Sequence, residues 1–206
     1  MISKMNRLLM FSLCLFLLYG CATTRANIPI DNNSTQPGTS VTMGGRSLKL
    51  MGKPIAVGDS LPSVNLVDSM TMKQIDLSKM KGSVLFLSIV PSIDTPVCEA
   101  QTHYLGEEGN KLAPEIRRIA ISRDTPFAQK RFAKEAKLEH IQFLSDYREG
   151  AFGRATGLLM DDLMLLARTV IIVDREGKVR YIQVVPEITH LPDMERAFQK
   201  AGELVR

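Results

Sequence analysis

The 206-residue chain has no tryptophan, only three cysteines and no apolar run long enough to cross a bilayer. So few cysteines exclude the small secreted domains that are held together by many disulfides. The charges nearly cancel, with 26 basic against 22 acidic side chains, and 45% of the residues are hydrophobic, which is not the profile of a disordered chain. Basic residues are interspersed, with no run of five, so the sequence argues against a nucleic-acid-binding protein.

The N-terminus is typical of a secretory signal peptide. Two basic residues precede an apolar run of eleven residues (8–18), whereas a membrane-spanning helix needs about 20. The run ends in Leu18-Tyr-Gly-Cys21, which resembles the lipobox of bacterial lipoproteins. That resemblance implies cleavage before the cysteine and lipidation of its thiol. We therefore predict a signal peptide over residues 1–20 and a lipidated Cys21; the alternative is a hydrophobic helix packed on the domain.

The residues after the lipobox predict where the protein is held. Ala22, rather than an aspartate, follows Cys21. In a Gram-negative cell this resemblance favours the outer membrane, with the protein lipid-anchored in the cell envelope and facing the periplasm. Residues 22–40 are rich in Thr, Asn, Ser, Gln, Pro and Gly, which predicts a flexible tether. The folded domain is then expected over residues 41–206, a length sufficient for one core.

Hydrophobic periodicity predicts an α/β domain with a mixed sheet. Residues 84–90 form an almost continuous apolar run, as in a strand buried on both faces. An N-terminal hairpin is expected within residues 41–51, because Gly44 and Gly45 permit positive φ at its turn. Further strands are expected over 116–122, 142–144, 167–173 and 179–185, and helices over 96–112, 126–137, 150–156 and 194–205. This alternation of strands and helices describes an α/β sandwich.

Cys98 is the candidate reactive residue of this sequence. One other cysteine lies in the signal peptide and a lipidated Cys21 is a thioether, so Cys98 is the free thiol of the mature protein. It follows the buried strand in the segment Pro91-Ser-Ile-Asp-Thr95-Pro-Val-Cys98. Because proline favours the first helical position, Thr95 is the predicted N-cap and Cys98 lies in the first turn, where the helix dipole favours a thiolate. Position alone is equally compatible with a small buried hydrophobic residue.

The spacing Pro91-x-x-x-Thr95-x-x-Cys98 matches the PxxxTxxC signature of peroxiredoxins. The full segment resembles the bacterial thiol peroxidase subfamily, the atypical two-cysteine peroxiredoxins. Further matches to this subfamily run from about residue 41 to the C-terminus and include 57–59, 127–132, 144–146, 165–168 and 185–188. The resemblance implies a thioredoxin-like fold, a homodimer, and reduction of hydrogen peroxide and small organic hydroperoxides without an organic cofactor or a metal.

The resemblance also implies a role for four residues. Cys98 is the peroxidatic nucleophile, whose thiolate attacks a peroxide oxygen and becomes a sulfenic acid. The Thr95 hydroxyl orients the thiolate and the peroxide, and Arg168 supplies a fixed cation beside them. Pro91 closes the loop and shields the sulfur from water. The three histidines have no ligand-like spacing, so the sequence predicts no metal site.

The sequence departs from the subfamily at the resolving cysteine, whose position is occupied by Ala133. A sulfenic acid on Cys98 therefore has no partner thiol in the mature chain. We predict resolution by an external thiol or a thiol protein. The alternative is a non-catalytic or peroxide-sensing lipoprotein module that keeps the fold. A thiol–disulfide oxidoreductase is disfavoured, because the chain has no C-x-x-C pair.

Overall fold

A seven-stranded mixed sheet lies at the centre of the computed structural model, which describes residues 27–205. The strands are β1 (Ile30–Asp31), β2 (Ser40–Met43), β3 (Arg46–Met51), β4 (Asn65–Asp68), β5 (Gln74–Asp76), β6 (Leu85–Ile89), β7 (Arg117–Ser122), β8 (Gln142–Ser145), β9 (Leu159–Met160), β10 (Thr169–Val173), β11 (Val179–Val184) and β12 (Leu191–Pro192). The α-helices are α1 (Pro96–Glu107), α2 (Pro126–Glu135), α3 (Ala151–Thr156) and α4 (Met194–Glu203), and short 3-10 turns span Leu77–Lys79 and Glu108–Lys111.

The strand order in the sheet is β11-β10-β6-β7-β8-β4-β5. Strands β6, β7 and β8 are parallel to one another, whereas β10 pairs antiparallel with both β6 and β11. The predicted α/β architecture with a mixed sheet is therefore confirmed. Strands β4 and β5 were missed by the sequence analysis, because both are short and carry polar residues at their ends.

The two faces of the sheet are covered by different elements. On β6, Leu85, Leu87 and Ile89 face a core shared with β2, β3 and α3, while Phe86 faces a second core under α1, α2 and α4. This alternation follows from the two-residue period of a strand. By the same period Ser88 faces the helices, which places it under α1.

The N-terminal hairpin β2–β3 is present where the sequence predicted it. Its register pairs Met43 with Arg46, so Gly44 and Gly45 form the two-residue turn, both with positive φ. Glu187 ties this turn to the segment after β11, since its carboxylate accepts hydrogen bonds from the Thr42 hydroxyl at 2.8 Å and the Gly44 N–H at 3.1 Å. Burial raises the pKa of Glu187, but the hydrogen bonds from Thr189, Thr42 and Gly44 outweigh it and lower the pKa to about 2.

The N-terminal segment packs against the domain from before residue 40, where the sequence analysis placed the end of a flexible tether. We expected a flexible tether up to residue 40, but β1 pairs in parallel with β12, and the Thr35 N–H donates to the Val184 carbonyl at 2.9 Å. The buried Gln183 amide donates to the Asp31 carbonyl. These contacts use backbone groups rather than apolar side chains, so they leave no hydrophobic pattern in the sequence.

Three of the four predicted helices end earlier in the structure than predicted, whereas α3 ends at Thr156 as predicted. The first stops at Glu107 and continues as a 3-10 turn, and α2 ends at Glu135, with Lys137 in the left-handed region at φ 55°. The predicted signal peptide and Cys21 lie outside the described residues. Within residues 27–205, no helix is both long enough and apolar enough to cross a membrane.

Candidate active site

Strand pairing brings three loops to one edge of the sheet. Strands β6 and β7 are parallel, so the segments that follow them, 90–95 and 123–125, leave at the same edge. Strand β10 is antiparallel to β6 and pairs Thr169 with Ile89, so the beginning of β10 lies beside the end of β6. Arg168, the residue before β10, is thereby placed next to the start of α1. No local sequence pattern predicts that Arg168 lies beside the start of α1.

The start of α1 has the predicted geometry. Thr95 is the N-cap, in an extended conformation (φ −134°, ψ 146°), and Pro96 is the first helical residue. The Thr95 side chain makes no capping hydrogen bond; its hydroxyl donates instead to the Ser92 carbonyl at 3.3 Å. Cys98 therefore lies in a first turn whose N–H groups are not capped by Thr95, where partial positive charge favours an anion.

The Cys98 side chain is fully buried, with 0% of its surface exposed. It forms a small apolar cluster with Val90 and Ile93, against which Ala128 and Phe132 of α2 pack. Pro91 is also buried, while Thr95 is exposed. The sulfur thus lies beneath the loop that precedes α1 and beside α2, shielded from bulk water.

Arg168 is the polar partner of this buried sulfur. Its Nη2 donates to the Cys98 Sγ at 3.3 Å, although the two residues are 70 positions apart. Only 2% of Arg168 is exposed. Burial lowers the pKa of the guanidinium, whereas the negative charge of a Cys98 thiolate acts in the opposite direction. The guanidinium is thus a cation in direct contact with the sulfur, in a site shielded from bulk water.

The guanidinium is fixed by two further hydrogen bonds. Its Nε donates to the Ile188 carbonyl at 2.8 Å, and its Nη1 donates to the Gln101 Oε1 at 2.7 Å. Gln101 is itself fully buried and donates to the Ser88 hydroxyl at 2.8 Å. Sequence reasoning missed Gln101; the signal available was its position three residues after Cys98, on the same face of α1.

Replacing Gln101 by leucine is expected to slow the reaction of Cys98 with peroxide about tenfold. The change removes a charge-assisted hydrogen bond of Arg168 in a buried site, which leaves the guanidinium less firmly directed at the sulfur. Stopped-flow mixing of reduced protein with hydrogen peroxide measures the rate. Glu99→Ala, an exposed change on the same helix, is the control; equal rates in both variants would contradict the role of Gln101.

Ala133 lies in α2, close to the Cys98 cluster but in a different core. Its side chain is 8% exposed and belongs to the core under the helices. The preceding residue, Phe132, packs against both that core and the Cys98 cluster. Cys98 is the free cysteine of the described chain. Within residues 27–205, no three His, Cys, Asp or Glu side chains are grouped to hold a metal ion.

Comparisons with a family profile and with known proteins agree on one family. The Redoxin family profile matches residues 56–198. A thiol peroxidase of Bacillus subtilis (strain 168) is 38% identical over 166 residues, covering 81% of this chain and 98% of the relative. A thiol peroxidase of Halalkalibacterium halodurans is 39% identical over 162 residues, covering 79% of this chain and 96% of the relative.

A solved structure confirms the fold. The crystal structure of a peroxiredoxin-like protein from Aquifex aeolicus matches with a TM-score of 0.76 at 33% identity, covering 84% of this chain and 99% of that one. The predicted thioredoxin-like fold with a mixed central sheet is therefore confirmed.

Proposed function

The chain belongs to the Redoxin family and is a peroxiredoxin-type thiol peroxidase, and we propose that it reduces hydroperoxides through a Cys98 sulfenic acid that an external thiol resolves. The observation that carries this proposal is the buried contact between Arg168 Nη2 and Cys98 Sγ at 3.3 Å. A non-catalytic domain has no physical need for a buried guanidinium aimed at a cysteine, since the burial of that charge is costly.

In the first step, the Cys98 thiolate donates an electron pair to the terminal oxygen of the hydroperoxide. An S–O bond forms, the O–O bond breaks, and the leaving oxygen takes a proton and departs as an alcohol or as water. Negative charge moves from sulfur to the leaving oxygen during this step. The rigidly held Arg168 guanidinium is proposed to stabilise that charge without reorganisation. The Thr95 hydroxyl, which donates to the Ser92 carbonyl in this structure, is proposed to turn toward the peroxide. Pro91 is proposed to keep the loop closed over the sulfur.

In the second step, an external thiolate attacks the sulfenic sulfur, and the hydroxyl leaves as water. A second thiol then attacks the mixed disulfide, which releases the oxidised donor and regenerates the Cys98 thiolate. This proposal is supported by Ala133, which occupies the position that the resemblance to the subfamily assigns to a resolving cysteine. The reductant is proposed to be a small thiol or a thiol protein.

Peroxide turnover with a panel of thiol donors tests the proposed cycle. Without a donor, the protein should consume about one equivalent of peroxide per chain, as one sulfenic acid forms per Cys98. A small dithiol should sustain turnover, and thioredoxin should sustain it less well, because no protein disulfide forms for it to attack. If the burst of peroxide consumption occurs but no thiol sustains turnover, the result would instead support a peroxide-sensing module, with which Ala133 is equally compatible.

Replacing Ala133 by cysteine is expected to create an internal disulfide with Cys98 after peroxide treatment. The new thiol would lie in α2, whose residues Ala128 and Phe132 already pack on the Cys98 cluster. Thioredoxin should then support turnover more efficiently than it does for the natural chain. Mass spectrometry under non-reducing conditions detects the disulfide, and the Cys98→Ser/Ala133→Cys double variant is the control. Mixed disulfides alone in the single variant would contradict the prediction.

The protein is proposed to work as a lipid-anchored enzyme of the cell envelope, on the periplasmic side of the outer membrane if the cell is Gram-negative. Cys21 is six positions before Asn27, where the described chain begins, a reach of about 20 Å if fully extended. The anchor would thus hold the domain close to the membrane surface. The domain is further proposed to form a homodimer, which sedimentation of the mature protein would test.

Replacing Cys21 by serine is expected to abolish lipid attachment. Cells fed a labelled fatty acid should label the natural protein but not the Cys21→Ser variant. Cys98→Ser is the matched control, since it removes a different thiol and should leave the label intact. An unlabelled natural protein would overturn the proposed anchor, whatever its location in cell fractions.

A further inference from the structure

The loop that covers Cys98 is tied to the loop after β7 by one carboxylate, that of Asp124. Its Oδ1 accepts a hydrogen bond from the Ser92 hydroxyl at 2.7 Å, and its Oδ2 accepts one from the Ile93 N–H at 2.8 Å. Hydrogen bonds to an ionised acceptor are stronger than neutral ones. Residues Ser92 and Ile93 are therefore held at the sheet edge by a charged group that is 31 or more positions away in the chain.

Asp124 is itself held in place. It precedes Thr125, the N-cap of α2, whose hydroxyl accepts from the Ala128 N–H at 3.3 Å. The Ser145 hydroxyl, at the end of β8, donates to the Asp124 carbonyl. Asp124 is thus fixed between α2 and the central strands. Its fixed carboxylate therefore holds the more exposed loop, through the hydrogen bonds from Ser92 and Ile93.

The attachment continues from Ser92 to the start of α1. The Ser92 hydroxyl, which donates to Asp124, also accepts from the Asp94 N–H at 3.3 Å. The Ser92 carbonyl accepts from the Thr95 hydroxyl at 3.3 Å. A continuous series of hydrogen bonds therefore joins Asp124 to Thr95, the residue proposed to orient the peroxide, without Asp124 touching the sulfur.

The same loop blocks the approach of any larger reagent. Ile93 is 3% exposed and packs on the fully buried Cys98. A hydroperoxide is small, but an external thiol must approach the sulfenic sulfur in line with its S–O bond. Since residues 27–205 hold no second thiol beneath the loop, that approach requires residues 92–95 to move away. Both hydrogen bonds to Asp124 break when they do.

We propose that Asp124 is a positioning residue that holds this loop closed for the peroxide step and so restricts the access of the external thiol in the second step. The proposal rests on the external-thiol cycle proposed above. Asp124 acts through Ser92 and Thr95 and has no direct role in the chemistry. Its removal should change the two half-reactions in opposite directions, which general loss of stability would not do.

The test measures the two half-reactions separately in the Asp124→Ala variant. Stopped-flow mixing of reduced protein with hydrogen peroxide gives the first rate, which should fall about tenfold. Mixing of the peroxide-oxidised protein with dithiothreitol gives the second rate, which should rise several-fold. Asp124→Asn keeps one oxygen acceptor, so its two rates should lie between those of Asp124→Ala and those of the natural protein. Asp94→Ala, an exposed carboxylate on the same loop, should leave both rates unchanged.

The possible outcomes separate this proposal from the one on which it rests. If both rates fall together in Asp124→Ala, or if neither changes, Asp124 does not control access and the proposal is overturned. If the natural protein shows no peroxide burst, the proposed function itself fails. Should Asp124→Ala not fold, Ser92→Ala is the second variant: it removes the 2.7 Å bond to Asp124 and the 3.3 Å bond from the Asp94 N–H but keeps the bond from the Ile93 N–H to Asp124. It is expected to shift the two rates in the same opposite directions, less strongly.

Discussion

Replacing Cys98 by serine is expected to abolish the consumption of hydroperoxide by the mature protein. Serine is close in size, so the apolar cluster around Val90 and Ile93 can be kept. A serine hydroxyl, however, does not ionise near neutral pH and is a poor nucleophile toward peroxide oxygen, whereas the reactive form of cysteine is its thiolate. Both the burst and the turnover with any thiol donor should therefore disappear.

Two measurements check this prediction. Peroxide loss is followed directly, and a reagent that traps sulfenic acids is applied after peroxide treatment, with the adduct located by mass spectrometry. Glu99→Ala is the matched control, because it changes an exposed residue next to Cys98 and leaves the buried sulfur in place. Residual peroxide consumption in the Cys98→Ser variant would show that another group carries the reaction, and the proposed function would then be wrong.

Replacing Arg168 by alanine should reduce the rate of the peroxide step by about 10²- to 10³-fold. The guanidinium donates to the Cys98 sulfur in a site with almost no exposure. Without it, a negatively charged sulfur at this position is buried without a cation, which is costly. The charge that develops on the leaving oxygen also loses its fixed donor. Both losses lower the rate of the peroxide step.

The rate is measured by stopped-flow mixing of reduced protein with hydrogen peroxide, for Arg168→Ala and for a variant that keeps the positive charge. Arg168→Lys retains a positive charge but cannot donate at once to the sulfur, Gln101 and Ile188, so its rate should lie between those of the other two proteins. An unchanged peroxide rate in Arg168→Ala would contradict the role assigned to this residue.

The local features of this protein follow from its sequence. Pro91, Thr95 and Cys98 lie within one segment of eight residues, and a proline after a cap residue is enough to begin a helix there. The turn at Gly44 and Gly45 and the apolar run of β6 are equally local. Each depends on backbone preferences and hydrophobic patterns over a few residues, which a sequence displays directly.

The partners of the sulfur depend on strand pairing. Arg168 reaches Cys98 because β10 lies antiparallel to β6, and Asp124 reaches Ser92 because β7 lies parallel to it. Arg168 was predicted only through resemblance to a family, and Gln101 and Asp124 were not predicted at all. Their hydrogen bonds join residues that are far apart in the chain or meet only inside the core, so no spacing reveals them.

The sequence by itself thus determined the candidate nucleophile, the helix that begins beside it and the presence of alanine rather than a cysteine at residue 133. Only the tertiary structure decided which buried groups surround that nucleophile and which residue holds its loop. The physical reason is that propensity and hydrophobic pattern act over one turn or one strand. The position of a charge in a dry site is set instead by how distant strands pair and how the helices pack on them.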